Sequence, residues 1–354
     1  MDSKNSGKVY KVRNMKIDLV YLWVNGSDEK WLAKKNAALA KSGMPLSKSA
    51  ASNNRWRDCD ELKYSLRSVE KYASWINHIY IVTDEQVPEW LDLNNPKISI
   101  IDHKQIIPNE ILPLFHSNAI EVFLWKIPNL SEYFLYSTDD MFFGKDVTPS
   151  FFFDENGNPI VILKERWRSF KNLEDYSQVN SRLFMINTAR TIKFAYKKLN
   201  KKYHLAYKHS IEPIRKSYME DNFKDLENDI LKTTVTTFRD VNNLQRIILP
   251  IFDNAKRRNT IVLNWRTSDK RIVYNNEKDD AFRKIYHTLL WFFATITGFI
   301  KYDCYDKQWR ILHFLKKYKP ATFAINDFSP DKSIFELAAD FFKEMFPNKS
   351  KFEI

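Results

Sequence analysis

The stretch EYFLYSTDDMFFGKD, residues 132–146, decides the fold prediction because it joins an apolar strand to two acids. Tyr133 to Tyr136 form a short aromatic and aliphatic run, which favours a buried strand over a helix. Asp139 and Asp140 follow, and an open α/β sheet binds its ligands at the carboxyl ends of its strands. Two carboxylates between apolar residues are costly unless a cation or hydrogen-bond donors meet them. The stretch therefore predicts a site for Mg²⁺ or Mn²⁺, with a solvent-exposed Asp-rich turn as the alternative.

The composition indicates a globular protein. Its 354 residues suffice for one large domain or two smaller ones, and 44% hydrophobic with 15% aromatic residues excludes a disordered chain. Two cysteines, Cys59 and Cys304, are too few for a disulfide framework or a cysteine zinc site and favour a reducing cytosol. Residues 1–14 lack the apolar segment of a secretion signal, so we interpret them as a solvated tail. The longest apolar run, Thr288 to Ile300, is shorter than the ~20 residues of a membrane span, and we expect a buried helix.

The net charge of +12 suggests a polyanionic partner: nucleic acid, an anionic membrane surface or a phosphorylated substrate. No zinc-finger spacing, aromatic RNA-binding motif or basic helical stripe supports nucleic acid. Basic clusters at 197–204 and 256–258 are more simply explained as solvated surface. Peripheral contact with an anionic membrane stays open. The six glycines form no G-x-G-x-x-G or P-loop motif, so a bound diphosphate must be held by a metal, arginines and helix N-termini.

Strand and helix patterns alternate in the first half of the chain, which predicts a mostly parallel sheet built from βαβ units. The predicted strands are Ile17–Val24, Ile79–Val82, Ile98–Ile101 and Tyr133–Tyr136, and the predicted helices begin at Glu29, cover Glu61–Ala73 and, capped by Ser117, cover Asn118–Ile127. In the second half we expect a strand at Ile160–Leu163, strand and turn character over Val179–Asn187, and helices over Pro213–Leu231, Phe282–Lys301 and Ser333–Met345. The fold class is α/β: a Rossmann-type, mostly parallel sheet flanked by helices, with a mainly helical cap or insertion in the second half.

Blocks of the sequence resemble, in order, the conserved regions of the Stealth family. They are IDLVYLWVNGSD (17–28), the run from 57 to 91, HSNAIE (116–121) with LSEYFLYSTDDMFFGKDVTP (130–149), HSIEPIRKSYMED (209–221) with FRDV (238–241), and IND (325–327) with FPNKSKFE (346–353). The resemblance implies a GT-A-like core and a single catalytic domain. Residues 15–165 would be its nucleotide-sugar-binding half, and residues 166–354 its catalytic half with a helical insertion at about 242–324.

The resemblance also implies a reaction. Stealth proteins are sugar-1-phosphate transferases of capsular and exopolysaccharide synthesis, related to the eukaryotic N-acetylglucosamine-1-phosphotransferase. An acceptor hydroxyl on an oligosaccharide or lipid-linked glycan attacks the β-phosphate of a UDP-sugar, UDP-GlcNAc being the first candidate, and UMP leaves. The expected cofactor is Mg²⁺ or Mn²⁺, and the expected location is the cytoplasm, in contact with the inner face of the membrane at most. The alternatives are a GT-A glycosyltransferase that releases UDP and a basic module that binds nucleic acid or anionic lipid without catalysis.

The metal ligands implied by the matching blocks are Asp139 and Asp140. Neighbours in an extended chain point to opposite sides, so one should touch the metal while the other orients sugar, water or another ligand. Asn326 and Asp327 are the next candidates for metal or phosphate contact. A capping role before the last helix is the alternative for this pair.

The other implied roles concern the reaction and the substrate pocket. His209 would be the general base, with His204 as the competing residue, and Arg239 would clamp the transferred phosphoryl group. An ion pair with a helix acid is the alternative role for Arg67. The residues expected to line the nucleotide and sugar pocket are Asn25, Asp28, Arg57, Asp60, Arg67, Ser117, Asn118 and Glu121.

Overall fold

The fold is taken from a computed structural model of the chain. It describes residues 15–42, 58, 60–165, 183–200, 205–206, 210–256, 260–264, 312–313, 315–317, 319–325 and 332–354. The predicted tail (1–14), the predicted helix over 282–301 and both cysteines lie outside these residues. Within the described ranges, none of the helices combines the length and the apolar character that crossing a membrane requires.

The described secondary structure alternates strands and helices, as predicted for the first half. The strands are β1 (Ile17–Leu22), β2 (Ile79–Thr83), β3 (Ile98–Asp102), β4 (Tyr133–Thr138), β5 (Met141–Phe143), β6 (Ile160–Glu165), β7 (Leu205–Ala206), β8 (Glu212–Arg215), β9 (Ile261–Asn264) and β10 (Thr322–Ala324). The helices are α1 (Glu29–Ser42), α2 (Glu61–Tyr72), α3 (His103–Ile106), α4 (Ser117–Glu121), α5 (Leu183–Leu199), α6 (Lys216–Thr233), α7 (Ile248–Lys256) and α8 (Lys332–Met345).

A five-stranded sheet in the order β3-β2-β1-β4-β8 lies at the centre of the structure. β1 to β4 are parallel, and β8 is antiparallel to β4, with Glu212 opposite Tyr136 and Arg215 opposite Tyr133. The α/β prediction with a mostly parallel sheet is confirmed. The four parallel strands therefore end, and β8 begins, at one side of the sheet, which we call the carboxyl edge. The opposite side, where β1 and β4 begin and β8 ends, is the amino edge.

Both faces of this sheet are buried, as nearly continuous apolar strands require. Val20 and Phe134 on one face pack with residues 119–130 and with helices α6 and α7. Leu19 and Leu135 on the other face pack with α2. Packing on both faces thus fixes the positions of the strands, and with them the positions at which the loops of the carboxyl edge begin.

Helix α2 also fixes the acidic turn after β4. The buried Ser65 donates its hydroxyl to the Met141 carbonyl (2.5 Å), and the Ser68 hydroxyl accepts from the Phe143 N–H (3.0 Å). β5 in turn pairs with β10 in antiparallel register, and the Ile325 N–H donates to the Asp140 carbonyl (2.9 Å). Strand β4, helix α2 and strand β10 together determine where Asp139 and Asp140 lie.

Three local predictions are wrong. The helix predicted from Pro213 begins at Lys216, because Pro213 belongs to edge strand β8, where a missing N–H is tolerated. The segment from Leu183 to Asn187, predicted as strand and turn, is the start of α5. The helix predicted over 118–127 ends at Glu121, and Ser117 is its first residue instead of its cap.

Candidate functional site

The acidic turn that follows β4 lies at the carboxyl edge. Asp139 Oδ1 accepts from the Asp140 N–H (3.1 Å), and one Asp140 carboxylate oxygen accepts from the Thr138 hydroxyl. Both residues are partly exposed, and their carboxylates differ in partner: that of Asp140 accepts from a side chain of its own strand, and that of Asp139 accepts from a backbone N–H of the turn. That one acid binds the metal while the other orients sugar, water or another ligand stays a prediction.

The Asp139 carboxyl has a pKa raised well above its usual range. Burial is the largest cause, followed by the negative charges of Asp140, Glu61 and Asp58. A divalent cation would offset both causes, because it favours the ionised form of every neighbouring acid. Among the described residues, no group of three or more His, Cys, Asp or Glu side chains can hold a metal ion alone. One or two carboxylates completed by waters and substrate phosphates are how Mg²⁺ is usually bound, so these residues fit the expected cation.

A second cluster at the carboxyl edge is positively charged. Arg239 Nη2 donates to the Ser117 hydroxyl (3.0 Å), while Arg239 Nε is buried without a hydrogen-bond partner among the described residues. Asn118 Nδ2 is also buried without a partner there. Burial lowers the pKa of Arg239, and the nearby charge of Glu121 raises it again. A buried guanidinium donor and a buried amide donor without partners are each costly unless an acceptor such as a phosphate or sugar oxygen meets them.

Aromatic packing places the Arg239 segment at this edge. Trp31, in the first turn of the helix that follows β1, packs edge-on against Phe115 at 5.6 Å between ring centroids. Phe115 stacks on Phe238 at 5.2 Å, and its N–H donates to the Thr237 carbonyl (2.8 Å). The loop before α4 and the segment before Arg239 are thereby joined next to the end of β1.

Glu121 and Glu212 share one arginine. Arg246 Nη2 contacts Glu212 Oε2 at 2.6 Å, and Arg246 Nε contacts Glu121 Oε2 at 3.3 Å. The guanidinium also lies 4.7 Å above the Tyr136 ring. The Glu121 carboxylate, expected from the sequence to accept sugar hydroxyls, thus bonds within the protein.

Two pocket candidates after β1 have local structural roles. Asn25 Oδ1 accepts from the Ser27 N–H (2.9 Å), and Asp28 Oδ1 caps α1 by accepting from the Trp31 N–H (2.7 Å). The Asn25 backbone is tied to the Gln86 side chain by two hydrogen bonds, of 3.0 and 2.8 Å. These contacts determine the shape of the loop at the carboxyl edge. That the Asn25 and Asp28 side chains line the substrate pocket stays a prediction.

Two pocket candidates at α2, Asp60 and Arg67, have different surroundings. Asp60, at the N-cap with φ 65°, is largely exposed and lies 3.4 Å from Lys63 Nζ. Arg67 makes two hydrogen bonds to the Glu353 carboxylate, at 2.8 and 2.7 Å, and a third to the Phe346 carbonyl. An ion pair was the alternative for Arg67, and the acid that forms it comes from the C-terminal segment instead of the same helix.

Four candidates lie outside the described residues: Arg57, His209, Asn326 and Asp327. Two of the flanking segments are described. Ser210 leads into the start of β8 at the carboxyl edge, and Ile325 bonds to the Asp140 backbone. The chain therefore passes the carboxyl edge immediately after His209 and immediately before Asn326.

Sequence reasoning missed Arg246, Glu212 and Asp58. Arg246 interrupts the apolar run LQRIIL (244–249), and a single charge in such a run indicates a buried ion pair. Asp58, which accepts from Trp23 Nε1 (3.2 Å), has a pKa raised mainly by burial. It lies in the block RWRDCD (55–60), where Asp60 was preferred.

Comparisons with known proteins cover strands β1 to β4 and the acidic turn at this edge. Residues 15–43 match the model of Stealth protein CR1, conserved region 1, and residues 55–161 match Stealth protein CR2, conserved region 2. Over these two regions the chain is similar to the Stealth family. The resemblance found in the sequence is thereby confirmed, and the second region contains both acids of the turn after β4.

Several curated relatives of the chain are bacterial. The exopolysaccharide phosphotransferase cps2G of Lactiplantibacillus plantarum is 50% identical over 145 residues, which is 40% of this chain and 41% of the relative. The capsular polysaccharide phosphotransferase cps1A of Actinobacillus pleuropneumoniae is 36% identical over 233 residues, 64% of this chain and 62% of the relative. The receptor polysaccharide phosphotransferase WefC of Streptococcus oralis is 44% identical over 145 residues, 41% of this chain and 43% of the relative. The matches thus span less than two thirds of each of these relatives.

Proposed function

We propose that this protein is a sugar-1-phosphate transferase of capsular or exopolysaccharide synthesis. It would move hexose-1-phosphate, first of all N-acetylhexosamine-1-phosphate from UDP-GlcNAc, to a hydroxyl of an oligosaccharide or lipid-linked glycan and release UMP. The observation that carries the proposal is that one edge of the sheet has both an acidic turn, whose negative charges a cation would offset, and an arginine with a buried donor that has no partner among the described residues. The names of the relatives, all phosphotransferases of polysaccharides, support the same reaction class.

The acidic turn supports the part of the proposal that concerns the metal and the diphosphate of the UDP-sugar. Asp139, with Asp140 beside it, would hold Mg²⁺ or Mn²⁺, and Asn326 and Asp327 remain the next candidates. When bound, the metal neutralises the diphosphate and polarises its oxygens. The raised pKa of the Asp139 carboxyl supports this assignment, because excess negative charge at a strand end is what a cation offsets.

The Arg239 cluster supports the transfer step. In phosphoryl transfer the charge spreads over the equatorial oxygens, and fixed donors lower the barrier. Arg239 Nε and Asn118 Nδ2 would meet such oxygens, while the Ser117 hydroxyl holds the guanidinium in place. His209 stays our proposed base for the acceptor hydroxyl.

The reaction balances as follows. The acceptor oxygen forms a bond to the β-phosphorus, and the bond from this phosphorus to the oxygen that bridges to the α-phosphate breaks. UMP takes that oxygen and its electron pair, and the hydroxyl proton passes to the base. The sugar keeps its anomeric bond, which distinguishes this reaction from glycosyl transfer.

Identification of the released nucleotide tests the proposal. The protein is incubated with Mg²⁺ or Mn²⁺, a panel of UDP-sugars and oligosaccharide acceptors, and products are identified by mass spectrometry. We expect UMP and one phosphodiester per turnover, and no product from Asp139→Asn. Release of UDP would instead indicate a glycosyltransferase. Salt-dependent binding to nucleic acid or anionic vesicles, unchanged in Asp139→Asn and without turnover, would indicate a binding module.

A further inference from the structure

Arg246 is an almost fully buried arginine that the proposed transfer step does not use. Its side chain is 2% exposed, and the carboxylates that it contacts are 4% (Glu212) and 11% (Glu121) exposed. Three charged groups so far from solvent carry a large desolvation cost, which an equally sized apolar cluster would avoid. Stability alone is therefore a poor reason for this arrangement.

The two carboxylates belong to different walls of the candidate site. Glu212 is the first residue of β8, opposite Tyr136 near the end of β4. Glu121 is the last residue of α4, whose first residue, Ser117, accepts a hydrogen bond from Arg239. Arg246 thus joins Glu212 in the sheet to Glu121 at the end of α4, and α4 holds Arg239 through the Ser117 hydroxyl. The charge of Glu121 also raises the pKa of Arg239 against the effect of burial.

We propose that Arg246 is a positioning residue for the transfer reaction, acting through Glu121 on Arg239. By holding Glu121 and Glu212 at once, it fixes α4 against β8 and so fixes the Ser117 hydroxyl and the guanidinium that it holds. This inference rests on the proposed function, the transfer reaction. Arginine has a planar, rigid fork that meets two carboxylates from different directions, and a lysine in its place keeps the charge but loses this fixed geometry.

Steady-state kinetics of Arg246→Lys and Glu212→Gln test this role. We expect kcat to fall about 10- to 100-fold with the KM for the UDP-sugar within about threefold, because a misplacement of about 1 Å is enough to cost about 10²-fold in rate. Matched controls are Arg215→Lys and Glu132→Gln. This pair has the same chemistry and the same 2.6 Å contact at the other end of β8, and its variants should keep kcat within about twofold.

Combination with Arg239→Lys separates positioning from a general structural role. If Arg246 acts through Arg239, the double variant Arg246→Lys/Arg239→Lys turns over no more slowly than Arg239→Lys alone. If the loss of kcat in the double variant is instead the product of the losses in the two single variants, the two residues act independently and the inference is wrong. Near-parental kcat in folded Arg246→Lys and Glu212→Gln would overturn it as well.

Further measurements distinguish variants that do not fold from a failure of the proposed function. Melting temperatures are measured for each variant, and Glu121→Gln, which removes one charge without changing shape, is added in case Arg246→Lys does not fold. If none of these variants folds, the network is structural and the inference is wrong. If the parent protein releases no UMP, the proposed function fails. The Nε–H resonance of Arg239 in ¹⁵N-arginine-labelled protein then tests positioning alone: it should shift in Glu212→Gln but not in Glu132→Gln, and no shift would overturn the inference.

Discussion

Strand β8 carries an arginine–glutamate pair at each end. The two pairs have the same contact distance but differ in their burial and in their surroundings. Glu212 at the carboxyl edge meets Arg246 at 2.6 Å, and Arg215 at the amino edge meets Glu132 at 2.6 Å. The side chains of the first pair are 2% and 4% exposed, and those of the second 25% and 38%. Solvent screens the second pair to about 0–1 kcal/mol, whereas the first has lost nearly all of its hydration. Contact distance alone therefore does not distinguish a surface ion pair from a buried charge network.

The surroundings of the two ends differ in the same way. At the amino edge, Arg215 also donates to the Tyr218 hydroxyl (2.7 Å), and Glu132 accepts from the Ser217 hydroxyl. At the carboxyl edge, Arg239 and Asn118 keep buried donors without partners among the described residues. Buried donors without partners and crowded acids at the carboxyl edge, and satisfied groups at the amino edge, are consistent with the proposed binding of ligands at the carboxyl edge.

The largest effect is expected at the acidic turn. Asp139→Asn should lower turnover by at least about 10³-fold, equivalent to about 4 kcal/mol, because it removes charge from the proposed cation site. The same change should raise the melting temperature of metal-free protein at neutral pH, since it relieves a buried charge that Asp140, Glu61 and Asp58 oppose. Steady-state kinetics and thermal melts in chelator check both effects. A metal-free variant less stable than its parent would contradict the electrostatic explanation.

The next effect is expected at Arg239. Arg239→Lys keeps a positive charge but loses the fork, so kcat should fall about 10²- to 10³-fold while donor binding changes little. Rapid-quench kinetics with a UDP-sugar separates these two quantities. An equal rise in KM with kcat preserved would assign Arg239 to donor binding instead of transfer.

A third arginine–glutamate pair, Arg67 with Glu353, extends the comparison. Its side chains are 14% and 3% exposed, so it is less exposed than the pair of Arg215 and Glu132, and it lies away from β8. Glu353→Gln should lower the free energy of unfolding by about 1.5–3 kcal/mol at pH 7. Burial alone would raise the pKa of Glu353, but hydrogen bonds from Arg67 and Ser350 lower it below its ordinary 4.5. The stabilisation is thus present above pH 4.5 and is lost as the pH falls through the lowered value. Urea unfolding across this range measures it, and an unchanged difference between parent and variant from pH 7 to pH 3 would contradict it.

The smallest effect is expected at the amino edge. Glu132→Gln should change the free energy of unfolding by less than about 1 kcal/mol, because its partner Arg215 keeps solvent and the Tyr218 hydroxyl. Urea denaturation measures this value. A loss as large as that of Glu353→Gln would mean that burial does not separate the pairs.

The sequence predicted β1 to β4 and the acids after β4 because long apolar runs and their termini are local patterns. Strand β8 was missed because its four residues, EPIR, carry no such pattern and pair only with a strand about 80 residues earlier. The helix predicted over 118–127 is shortened by tertiary packing around Phe123 and Leu124, both almost fully buried. Arg239 and Asp139 come from motifs, whereas the role of Arg246 depends on a long-range contact with Glu121 that no local pattern encodes.

Calorimetric titration of UDP-GlcNAc into the protein tests most directly whether the carboxyl edge is a cation-dependent nucleotide-sugar site. We predict donor binding by the parent and by Glu132→Gln in the presence of Mg²⁺ or Mn²⁺, little binding in chelator, and loss of the cation dependence in Asp139→Asn. Equal binding with and without the cation in the parent, or unchanged cation-dependent binding in Asp139→Asn, would contradict it.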